Sequence, residues 1–231
     1  MRVLQLLAED RVLFHLFALE LKAVYDLLTV EPDQDWAALI PSSFVGSWLH
    51  RALEGLLPVL SEAEDLPSGH QIVPFGPVQL NAQVESNWLV PYRRFVDCQP
   101  CLKALDMVTR IQRHHQVLAG PARECVLIQR RASRLLHAAE TGARLEDWLS
   151  PCLAATSIPF KTVVFEELDP LDQWRVVSKA RLLIGMHGSG LTNLVFTTEC
   201  CEVLEIDLRH QWTCDPLCNA HRCGLLAPGE A

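Results

Sequence analysis

The stretch KARLLIGMHGSGLTNLVF, residues 179–196, decides the reading of this chain. A charged start gives way to the apolar run 181–186, which predicts a buried strand. A glycine-rich corner follows, with His187 among Gly185, Gly188 and Gly190, and GSGLTNLVF then predicts the opening of a helix. A parallel strand entering a helix through such a corner leaves backbone N–H groups unpaired at the helix start. Those donors, with the helix dipole, favour an anion. Gly188 and Gly190 allow a sharp turn and a close approach of backbone to ligand. His187 falls at the strand's carboxyl end, where open α/β sheets bind ligands, and its imidazole suits a phosphate or a sugar hydroxyl. Thr192 and Asn193, one turn into the helix, add polar groups. Such corners also arise for packing alone. The glycine offsets are not those of the G-x-G-x-x-G dinucleotide fingerprint.

Working outward, the flanking sequence alternates strand and helix. CVLIQ at 125–129, TVVFEEL at 162–168 and EVLEIDL at 202–208 predict further apolar strands. A helix is expected around 143–149 and another over 169–180, where Asp169 can cap and Pro170 suits the first turn. Apolar strands of this kind suit burial on both faces, so residues 122–208 predict a Rossmann-like parallel α/β unit. Residues 1–121 read as a reduced, helix-rich or mixed half. Leu4, Leu7, Leu13, Leu16, Phe17 and Leu21 fall on roughly helical spacing, and further helices are expected over 44–60 and 100–116. LPSGH at 66–70 predicts a turn, and short strands and loops follow it. Residues 209–231 form an irregular, cysteine-rich tail.

Composition bounds the function. The chain has 231 residues, 49% of them hydrophobic and 21% charged, which suits a folded domain with a real core. A formal net charge of −8 argues against general nucleic-acid binding. No stretch reads as a membrane span or a signal peptide, since Glu9, Asp10 and Arg11 interrupt the apolar start. Nine cysteines is an odd number, and it leaves the redox compartment open. Cys125 and Cys152 read as small core hydrophobes. Cys98 and Cys101 form a C-x-x-C pair, and His210, Cys214, Cys218, His221 and Cys223 do not match a standard zinc module.

GMHGSGLTNLVF at 185–196 resembles the signature of the family-61 glycosyltransferases. VLIQRRASRLL at 126–136 is similar to that family's strand followed by an arginine-bearing loop, and EVLEIDL at 202–208 to the strand after the signature helix. The resemblance implies a GT-B-like α/β architecture with two Rossmann-like halves. It implies inverting transfer of a sugar from a UDP-sugar to a hydroxyl on a glycan or protein acceptor. The donor site it implies comprises Arg130, Arg134, His187, Gly188, Ser189, Gly190, Thr192, Asn193 and Glu205. The backbone corner and His187 would face the diphosphate, Arg130 or Arg134 would add a charge-assisted contact, and Glu205 would accept from ribose or sugar hydroxyls. No metal or other cofactor is implied, and the expected compartment is the lumen of the secretory pathway. The general base is not assigned; Asp97, Glu85, His114 and His115 are candidates by position only.

The chain is short for a complete enzyme of this architecture, and the tail after Asp207 departs from the family pattern, so a truncated or divergent member is expected. Two other readings stand beside the transferase. One is an inactive donor-binding module, and the other a nucleotide-dependent oxidoreductase on an unrelated Rossmann-like fold.

Overall fold

A computed structural model describes residues 1–6, 21–61, 66, 68–75, 99–117, 120–130, 144–154, 157–186, 189–198 and 201–206. The described residues up to Gln116 form one compact unit, and those from Val117 onward a second.

The first unit is built on a parallel sheet. Strands β1 (Arg2–Leu6), β2 (Trp36–Leu39), β3 (Val59–Leu60) and β4 (Gln71–Phe75) stand in the order β3-β2-β1-β4. β1 pairs β2 and β4 in parallel, and β2 pairs β3 in parallel. This is a Rossmann-like half, and it replaces the helix-rich N-terminal half expected from sequence. The reason is physical. RVLQL buries Val3, Leu4 and Leu6, so both faces of the strand are covered. An apolar run covered on both faces carries no period-2 signal and is not told from a helix by pattern. Residues 7–20, which carry much of the helical spacing, lie outside the described residues. WAAL misleads in the same way, because alanine favours helices, yet Ala37 and Ala38 are fully buried in β2.

Among the described residues three α-helices accompany this sheet: α1 (Lys22–Val30), α2 (Trp48–Glu54) and α3 (Gln99–His114). Ser47 caps α2 by accepting from the His50 amide, and Trp48, Leu49, Ala52 and Leu53 are its buried face. Of the helix expected over 44–60, only this central part forms, and the chain then joins the sheet as β3. α3 buries Met107, Val108 and Ile111 and agrees with the predicted helix. Tyr25 of α1 donates to Asp106 of α3 at 2.5 Å, and Arg110 pairs with the same carboxylate at 3.0 Å. Burial, with the Asp106 bond behind it, raises the Tyr25 hydroxyl to about 12. Within the turn predicted at 66–70, Ser68 and Gly69 form a turn, with Gly69 at φ +78°. Pro74 is tolerated in β4 because β4 is an edge strand.

The second unit is a separate parallel sheet. Strands β5 (Glu124–Gln129), β6 (Phe160–Val164), β7 (Ala180–Met186) and β8 (Glu202–Ile206) stand in the order β6-β5-β7-β8, every pair parallel. Helices α4 (Leu145–Ala154) and α5 (Pro170–Val177) connect them. All four predicted strands are found. Asp169 Oδ1 accepts from the Leu171 amide at 2.9 Å with Pro170 behind it, the predicted start of α5. Cys125, Leu127, Ile184 and Met186 form a core cluster against Leu149 and Leu153 of α4. Trp174 of α5 stacks on Phe196 at 4.3 Å, both fully buried. Cys125 is buried as predicted, while Cys152 is exposed on α4 and is not a core residue.

Two elements differ from expectation in the second unit. FEE at 165–167 leaves the strand as a 3-10 turn, because Gln173 donates to the carbonyls of Phe165 at 2.9 Å and Leu168 at 3.1 Å and folds the chain back. Ser189–Phe196 is a 3-10 helix and not an α-helix. Its residues from Leu191 onward are buried, and the tighter winding suits a short segment enclosed by protein.

In the first unit the most sensitive point is Gly55, just past α2. A Cβ there would lie 2.6 Å from the Ile111 backbone. Gly55→Ala is expected to lower stability by about 1–3 kcal/mol through overpacking. Gly120→Ala, which meets open space, is expected to stay within about 0.5 kcal/mol. Urea denaturation of the two variants checks the contrast.

Candidate functional site

In the second unit the chain runs from β5 to β6 on one side and from β7 to β8 on the other. The strand order therefore reverses between β5 and β7. Crevices at the carboxyl ends of such a strand pair are where open α/β sheets take ligands. Arg130 follows β5 directly, and the GMHGSG corner begins at the end of β7.

Arg130 is held there. Its Nε donates to Glu166 Oε1 at 3.0 Å. Glu166 stands on the 3-10 turn that ends β6, the neighbouring strand. Neither terminal nitrogen of Arg130 meets another carboxylate among the described residues. The pair is only a third to two-fifths exposed. A guanidinium gripped by Nε presents its other edge as a flat pair of donors, the geometry that suits phosphate oxygens.

The 3-10 segment sits against β7 because Gly185 has no side chain. A Cβ there would come within 3.1 Å of Leu191 and 3.6 Å of Ile128. The first glycine of the motif thus serves packing. Gly190 differs, for a Cβ there meets nothing within 4 Å. Packing among the described residues makes no demand for glycine at that position.

Asn193 is wholly buried and donates to Gln173 Oε1 at 3.0 Å and to the Gly190 carbonyl at 3.2 Å. Gln173 in turn holds the turn that carries Glu166. Two amide side chains therefore tie the glycine corner to the turn that orients Arg130. Thr192 is 4% exposed, and its hydroxyl finds no hydrogen-bond partner among the described residues. Glu205 lies on β8 opposite Gly185, one residue from the strand's end and half-buried. One strand, β7, separates it from β5, which puts the two strand ends about 10 Å apart.

A family model described as glycosyltransferase 61 matches residues 20–204, most of the chain. The chain belongs to that family. No curated protein matches it. Membership makes it a glycosyltransferase in the general sense, with a sugar donor and an acceptor as its substrates. No helix among the described residues is long and apolar enough to cross a membrane.

Arg134, His187, Gly188 and the side chain of Ser189 lie outside the described residues, as do Glu85 and Asp97 and the cysteine-rich tail. Among the described candidates, sheet order brings Arg130, Glu205 and the Gly190–Asn193 segment to strands β5, β7 and β8 or the turn after β7. Sequence reasoning missed Glu166 and Gln173. Glu166 sits in the stretch that reads as continuing β6, and only the early end of that strand reveals it.

His115, a candidate base, has a structural task. Its Nε2 donates to the Arg51 carbonyl of α2 at 2.5 Å, and the side chain is 8% exposed. His114 stands edge-on at 4.7 Å. Burial lowers the His115 pKa below its ordinary 6.5, only partly offset by the Arg51 bond.

Two outcomes follow from this geometry. Asn193→Ala takes the Asn193 donor from Gln173 Oε1 and the Gly190 carbonyl and is expected to cost about 1–3 kcal/mol in urea denaturation. The folded state favours neutral His115, whereas the unfolded imidazole takes a proton as pH falls through 6.5. Its contribution is therefore present above that pH and lost below it. Between pH 7.5 and 5.5 the fall in Tm should be smaller in His115→Gln than in the wild type.

Proposed function

We propose that the second unit binds a UDP-sugar at the carboxyl ends of β5 and β7 and that the chain transfers the sugar, with inversion, to a hydroxyl on a glycan or protein. The observation that carries this reading is Arg130, held by Glu166 at the strand-order reversal with its terminal nitrogens turned to no other carboxylate among the described residues. When the glycosidic bond breaks, UDP gains negative charge. Donors already in place at the diphosphate lower that barrier most, since they need no reorganisation as charge develops.

In this reading Arg130 supplies the positive charge, with Arg134 as a second source. His187 and the amides of Gly188, Ser189 and Gly190 face the phosphates. Gly190 admits them because nothing lies within 4 Å of its missing Cβ. The buried Thr192 hydroxyl, without a partner among the described residues, is a further donor. Asn193 acts through the Gly190 carbonyl it holds, and Glu205 accepts from ribose or sugar hydroxyls. Transfer proceeds without a metal or other cofactor. Two Rossmann-like units in one chain support the GT-B arrangement, and the family supports work in the secretory pathway lumen.

Calorimetric titration with UDP, UDP-N-acetylglucosamine, UDP-xylose, GDP-mannose and NAD tests the reading. Saturable binding of UDP and not of NAD is expected. Arg130→Ala should weaken it by roughly tenfold or more, the worth of a charge-assisted contact, and His187→Ala should weaken it as well. A folded protein that binds none of these nucleotides would rule the proposal out.

A further inference from the structure

Gln129 is the last residue of β5, the central strand beside the reversal, and it immediately precedes Arg130. It is only 6% exposed, and its Oε1 finds no hydrogen-bond partner among the described residues. By strand alternation it shares the face of Cys125 and Leu127, which pack in an apolar cluster with Leu149 and Leu153. A leucine or methionine would fill such a place without loss. A carboxamide there carries the full desolvation cost of its oxygen and receives nothing from the fold in return. Buried polar groups without partners are few in folded proteins, and each calls for a cause.

Other buried polar atoms of this unit bear on the choice. The Trp174 indole lies in the core stack, and Thr198 follows the 3-10 helix. The Glu124 carboxylate has Lys161 beside it at the opposite end of β5. Gln129 is the member of this group that sits in a strand of the sheet at its ligand-binding edge, one residue from the guanidinium placed for phosphate. Packing therefore leaves its oxygen unexplained, and a ligand group explains it.

We infer that Gln129 is a donor-recognition residue whose side-chain oxygen accepts a hydrogen bond from an N–H or O–H of the bound nucleotide-sugar. This rests on the proposed donor site and assigns to it a group that reads neutral donors, beside Arg130 which reads charge. A carboxamide offers an acceptor and a donor on one edge, so it matches the imide edge of a uracil ring. The same oxygen also suits a sugar hydroxyl. The shared chemistry is a neutral hydrogen-bond donor within reach of the β5 terminus.

The test uses the full chain and two substitutions of similar volume, Gln129→Leu and Gln129→Met, with UDP, uridine and UDP-xylose as titrants. Both variants should keep or raise the Tm, because the unpaired oxygen is gone. Both should weaken nucleotide binding by about five- to thirtyfold. Equal loss for UDP and uridine places the donor group on the base, and a loss confined to UDP-xylose places it on the sugar. Wild-type binding of UDP with unchanged affinities in both variants overturns the inference and leaves the donor site standing. A marked fall in Tm in both variants also overturns it, since the carboxamide would then support the fold. Absence of any nucleotide binding by the wild type removes the donor site and this inference together.

Discussion

The second unit depends on the bare backbone of Gly185. Leu191 Cδ2 lies 3.1 Å from where a Cβ at Gly185 would stand, a tight contact, and Ile128 of the adjacent strand lies at 3.6 Å, in ordinary contact. That contact seats the 3-10 segment on β7. With the segment seated, Phe196 reaches Trp174, and the whole run from Leu191 to Thr197 is buried. Interiors pack at crystal-like density, so one added methyl at such a point is felt by every layer above it. The glycine corner therefore has two kinds of glycine. Gly185 answers to the core, and Gly190 stands in open space.

A chain of polar contacts runs across this packing. Asn193 holds the Gly190 carbonyl and Gln173, Gln173 holds the turn after β6, and that turn presents Glu166 to Arg130. Each link joins a neutral amide or an ion pair to an element already fixed by apolar burial. The apolar layer supplies stability, and the polar chain supplies registration between two segments far apart in sequence. These contacts hold the Arg130 guanidinium at a set angle. In the first unit, Tyr25, Asp106 and Arg110 link α1 to α3, and His115 links α3 to α2 by the same device.

The cysteines do not enter this chemistry among the described residues. Burial pushes the Cys125 thiol up, and it pushes Cys201 up to about 12, so neither offers a thiolate at neutral pH. Cys125 behaves as a small apolar side chain in the core, while the Cys201 thiol donates to the Glu202 carbonyl at 3.4 Å.

The second unit was legible in the sequence because its punctuation is local. Asp169 and Pro170 start a helix by hydrogen bonding and fixed φ within one turn, and apolar runs of five to seven residues between such signals read as strands. The family signature was legible for the same reason, as a run of adjacent residues. The first unit was not, because RVLQL and WAAL are covered on both faces, and a period appears only where one face meets water. What the tertiary structure alone decided is which groups meet. Glu166 reaches Arg130 only once β6 pairs β5, Gln173 reaches Asn193 only once α5 lies beside the 3-10 helix, and Gln129 is left unpartnered only when the sheet around it is complete. Sequence determines the local conformations, since those follow from each residue's own sterics and its neighbours. Pairing across 20 or 36 positions depends on how whole elements pack, and no local pattern encodes it.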